Sequence, residues 1–61
     1  MNNPKAIEFY NLLISKYEEA RTLEKNSKTN LRAAFYRDEQ RRLAKIFEKT
    51  FHKPIDKSIE V

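Results

Sequence analysis

The chain has 61 residues, with no Cys, Gly or Trp, and its 13 Lys and Arg against 9 Asp and Glu give a formal charge of +4. That length holds one small domain, and the missing residue types exclude disulfide staples, thiolate metal sites and glycine phosphate loops. The longest aliphatic run, Leu12-Leu13-Ile14, falls far short of the ~20 apolar residues a membrane-spanning helix needs.

The absence of Gly also bears on fold class. Hairpin turns draw on Gly for positive φ, so a β-rich fold of this size would normally contain several. Abundant Glu, Lys, Arg, Leu and Ala favour helices instead. The reading is therefore all-α.

A first helix is predicted over 4–26. Asn3 is a suitable N-cap, and Pro4 at the first helical position loses no needed donor. Ala6, Tyr10, Leu13, Tyr17 and Ala20 recur at intervals of four and three, which places them on one stripe. Ile7 and Ile14 widen that stripe on one side; Phe9, Leu12 and Leu23 widen it on the other. The resulting apolar arc exceeds half the circumference, more than one neighbouring helix can cover.

Residues 26–30, Asn-Ser-Lys-Thr-Asn, are rich in side chains that compete for backbone hydrogen bonds, and they predict a turn. With no Gly or Pro in the stretch, a continuous helix is the alternative. A second helix is predicted over 30–51, with Ser27 or Thr29 as N-cap. Phe35, Tyr36, Leu43, Ile46, Phe47, Thr50 and Phe51 share a face, flanked by Ala33 and Ala44. Pro54 ends this helix, because the residue before Pro disfavours helical geometry. Residues 52–61 form a short C-terminal tail that packs back, caps the bundle edge or stays loose.

Two helices of matched length and a short connector predict an antiparallel helical hairpin, residues 1–61 forming a single small helical domain. The uncovered arc on the first helix predicts that two such hairpins dimerise into a four-helix bundle. The layout resembles that of the plasmid-encoded helical-hairpin dimers of the Rop type, which build four-helix bundles and engage RNA. The likeness lies in length and layout, and no residue motif carries a site across. The Asn- and Lys-rich, glycine-free composition is similar to that of small phage or mobile-element products of low-GC bacteria.

Three features bear on function. The first is a basic edge: Arg37, Arg41, Lys45 and Lys49 recur every four residues, with Arg42 beside them. Residues 31–53 hold seven cations and three anions, so most of the net charge sits on the second helix. Such an edge suits an acidic protein patch or phosphates, or is simply a solvated face. The interleaved Asp38, Glu39 and Glu48 weigh against a dedicated nucleic-acid face.

The second feature is a seam of apolar and polar residues: Tyr10, Leu13, Ile14, Tyr17 and Glu39. Glu39 and Gln40 interrupt the apolar face of the second helix; Glu39 is expected to rim the core, meeting Tyr10, Tyr17 or Arg21, or else to fix the register of a dimer or anchor a partner's Arg or Lys. The third is the set of aromatics at helical spacing, expected to be mostly core.

No catalytic constellation is found. His52 is the single His, no nucleophile elbow exists, and Glu18 and Glu19 diverge on a helix. The expectation is a non-enzyme with no metal, no cofactor, no small-molecule substrate and no membrane. Its partner is expected to be a protein or a second copy of itself, bound and occluded through a helical surface in the manner of an inhibitor or adaptor. A basic-faced homodimer on DNA or RNA is the alternative. Met1-Asn2-Asn3-Pro4-Lys5 lacks signal-peptide character, so the expected location is the cytoplasm.

Overall fold

The computed structural model describes residues 4–59, and the expected N-cap Asn3 lies outside them. Three helices follow in chain order: α1 over Pro4–Lys25, α2 over Asn30–Phe51 and α3 over Ile55–Ile59. No strand occurs among the described residues. α1 and α2 form the antiparallel hairpin, and α3 contacts both of them. The unit measures 45 × 20 × 17 Å.

α1 ends one residue before the predicted boundary. The Asn26 amide still donates to Thr22 O at 3.0 Å, and the Ser27 amide switches to Glu24 O at 3.2 Å, a tighter closing turn. Ser27 Oγ also donates to Leu23 O at 2.7 Å. The side-chain competition expected of this stretch thus terminates the helix, and the continuous-helix alternative does not form. Thr29 then caps α2. Its backbone is extended (φ −126°, ψ 151°) and its hydroxyl accepts from the Arg32 amide at 3.2 Å.

The other end of α2 is closed by His52, which takes the left-handed conformation at φ 60°, ψ 35° and donates its amide to Glu48 O at 2.8 Å. Gly usually occupies this position; a chain without Gly uses His, one of the residues enriched there. This reversal, followed by Pro54, turns the chain back so that α3 lies against the open end of the hairpin.

Leu13, Leu43, Phe47 and Ile55 form the core, with Tyr10, Ile14, Tyr17, Ala44, Phe51 and Ile59 packed around it. Ala20 is also buried. Aromatic rings fill the open end: Tyr10 lies 5.0 Å from Phe47 and 5.1 Å from Phe51, edge-on to the latter. Lys53 Nζ sits 5.1 Å above the Tyr10 ring. Within the tail, α3 therefore packs back on the hairpin, and Ile55 is 1% exposed.

Of the residues expected to share one face of α2, Phe35, Ile46 and Thr50 are exposed. Phe35 is 65% exposed and Ile46 is 45% exposed. Phe35 stands eight residues before Leu43 and Ile46 three after it, which rotates them to the same side by about 80° and 60°. Both therefore flank the core.

Candidate interaction surfaces

The basic edge of α2 divides into bound and free cations. Arg37 Nε donates to Glu24 Oε2 across the hairpin at 3.1 Å, and Arg42 pairs with Asp38 one turn earlier at 2.8 Å. Arg41, Lys45 and Lys49 are exposed, and no described residue pairs with them. Helical periodicity carries these three around the outer side of α2, away from α1.

Glu24 is the centre of a cross-helix clasp. Its carboxylate accepts from Gln40 Nε2 and from Arg37 Nε, while Gln40 Nε2 also reaches Tyr36 O at 3.2 Å. The Gln40 hydrogen bond, and secondarily the Arg37 guanidinium, hold the Glu24 carboxyl below its ordinary value of 4.5. Spacing within one helix could place Glu24 and Gln40 on inward faces but could not pair residues 16 positions apart.

The apolar and polar seam is split by the fold. Leu13 is 4% exposed, and Tyr10, Ile14 and Tyr17 pack against the same core, so the hairpin itself engages these four. Glu39 is half-buried and lines a shallow groove of about 190 Å³ together with Lys16, Glu19, Leu23 and Phe35. Arg21 lines a different, wider groove beside Glu18, Lys25 and Arg37. The expected meeting of Glu39 with Arg21 is therefore not made, because the two residues flank opposite sides of the helix pair.

Apolar surface stays open. Ile7, Phe9, Leu12, Leu23, Leu31, Phe35 and Ile46 are all at least 39% exposed, and Leu31 reaches 83%. Among the described residues no three His, Cys, Asp or Glu side chains gather as a metal site, and no helix is long and apolar enough to cross a membrane. Comparison with protein-family models, with curated proteins and with solved structures finds no match.

Proposed function

We propose that this chain is a small non-enzymatic regulator that works as a two-copy helical bundle and occludes a protein partner. Its uncovered apolar flanks would join the copies, and the outer basic edge of α2 would engage an acidic patch on the partner. The observation that carries this reading is the exposure of large apolar side chains on both helices, Leu12 and Leu23 on α1 and Phe35 and Ile46 on α2. Leu23 and Phe35 share one groove between the helices, and large apolar side chains gathered on the surface of a small unit mark an interaction site. The free cations Arg41, Lys45 and Lys49 add the charge that steers association with an acidic surface.

The test is a complex with a partner recovered from the native host at fixed stoichiometry. The triple variant Arg41→Glu, Lys45→Glu, Lys49→Glu should abolish that complex while leaving helicity and melting unchanged. Retention of the complex by the triple variant would remove the basic edge from the account.

Binding of DNA or RNA by the same dimer is the second reading, and the three free cations favour it. The pairing of Arg37 with Glu24 and Arg42 with Asp38 counts against it, since both cations are already neutralised. Phosphate binding releases counterions and so weakens steeply with salt. A duplex titration at two salt concentrations separates the readings: a steep slope supports the nucleic-acid alternative, and no binding leaves the protein partner.

A further inference from the structure

The groove face carries the same spacing on both helices. On α1 the series is Leu12, Lys16, Glu19, Leu23; on α2 it is Phe35, Glu39, Arg42, Ile46. Both step by four, three and four residues, the interval that keeps side chains on one stripe of a helix and builds a coiled-coil seam. Lys16, Glu19, Leu23, Phe35 and Glu39 line one groove, so the two stripes lie side by side. The four apolar ends are open: Leu12 50%, Leu23 41%, Phe35 65% and Ile46 45% exposed. Among the described residues no ion pair engages Lys16, Glu19 or Glu39.

Each series is also a palindrome in kind. Read forwards, α1 presents apolar, cation, anion, apolar; read backwards, the apolar ends coincide and the charges exchange sign. α2 behaves the same way. The centre of the α1 series falls between Tyr17 and Glu18, and that of the α2 series between Gln40 and Arg41. Leu23 and Phe35 line the same groove and the helices run antiparallel, and setting these two residues opposite each other brings the two centres level. One two-fold axis, lying in the face and perpendicular to the helices, therefore serves both.

We infer that a second copy of this chain docks on this face antiparallel, α1 on the partner's α1 and α2 on the partner's α2. The inference rests on the two-copy reading proposed above and specifies its face, orientation and register. Lys16 meets the partner's Glu19, and Glu39 meets the partner's Arg42. Leu12 meets the partner's Leu23, and Phe35 meets the partner's Ile46. Symmetry makes each contact twice. Arg42 must turn from Asp38, a change of small cost because both side chains of that pair are exposed.

The alternatives are disfavoured by the same residues. With the two-fold parallel to the helices, α1 would face the partner's α2, Lys16 would approach the partner's Arg42, and Glu19 would approach the partner's Glu39. Like charges in an interface oppose that alignment. A slip of one heptad in the antiparallel alignment would place Leu12 on the partner's Lys16. Polar residues at the centre of an apolar seam fix register in this manner, at some cost in stability.

The test compares the full chain with Lys16→Glu and with the double variant Lys16→Glu, Glu19→Lys, by sedimentation equilibrium. Both positions are exposed, so helicity should not change. The single change sets like charges against each other twice and should raise the dimer dissociation constant roughly tenfold or more. The double change restores opposite charges and should recover most of the loss. A second measurement uses the absence of Cys from the chain. Leu12→Cys and Leu23→Cys chains should cross-link to each other when mixed but not alone, since like positions lie ~16 Å apart along the seam. A dimer indifferent to Lys16→Glu overturns the face while leaving the two-copy reading intact. A dimer tightened by it overturns the orientation, as does cross-linking of either Cys variant alone. A monomeric parent chain overturns both proposals.

Discussion

Arg37 donates to Glu24 across the hairpin at 3.1 Å, next to the turn that joins the two helices. With Gln40 on the other carboxylate oxygen, this clasp fixes the α1–α2 register where the core gives little help. The core itself lies farther from the turn, at Leu13, Leu43, Phe47 and Ile55.

The clasp predicts an acid-side loss of stability. Folding lowers the Glu24 carboxyl from its ordinary value of 4.5, first through the Gln40 bond and then through Arg37. A group whose folded value is depressed contributes stability above its unfolded value, and the contribution disappears as pH falls through the folded value. Urea denaturation should therefore show stability declining below about pH 4.5, with a shallower decline in Glu24→Gln. Identical pH profiles for the two chains would show the clasp to be energetically silent. Because the pair is partly exposed, added salt should shrink the difference.

Ile55 closes the open end of the hairpin at 1% exposure. Ile55→Ala should cost roughly 2–4 kcal/mol, the usual range for truncating a buried aliphatic side chain. In a 61-residue chain that is a large share of the total, so thermal melting should shift by many degrees. A small shift would mean that α3 contributes little to the fold.

His52 occupies the left-handed cap with a side chain that Gly would lack. Relieving that conformation should outweigh the added freedom of the unfolded chain. His52→Gly is expected to stabilise the protein by about 0.5–1 kcal/mol in chemical denaturation. Destabilisation would show that the imidazole makes a contribution the cap geometry does not explain.

Much of the scaffold was legible in the sequence, for identifiable reasons. Pro4, Thr29 and Pro54 punctuate the helices by local chemistry, and Leu13, Leu43 and Phe47 follow helical periodicity. Ile55 carries no such signal, since one buried side chain in a five-residue helix leaves no period to read. Phe35 and Ile46 satisfy the apolar pattern of α2 yet flank its buried stripe, because a wide apolar arc does not mark its own centre. The basic edge was visible as a four-residue repeat. Its division was not, because Arg37 is neutralised by Glu24 from the other helix. The matching spacing of Lys16 and Glu19 on α1 and of Glu39 and Arg42 on α2 links the helices only once the fold sets their stripes side by side.

The central claim is that the hairpin presents a face made to be covered by its own copy. Light scattering across a micromolar concentration series measures this most directly. The account predicts a mass rising to a plateau at twice the 7.3 kDa of one chain. A constant single-chain mass over the whole series would contradict it.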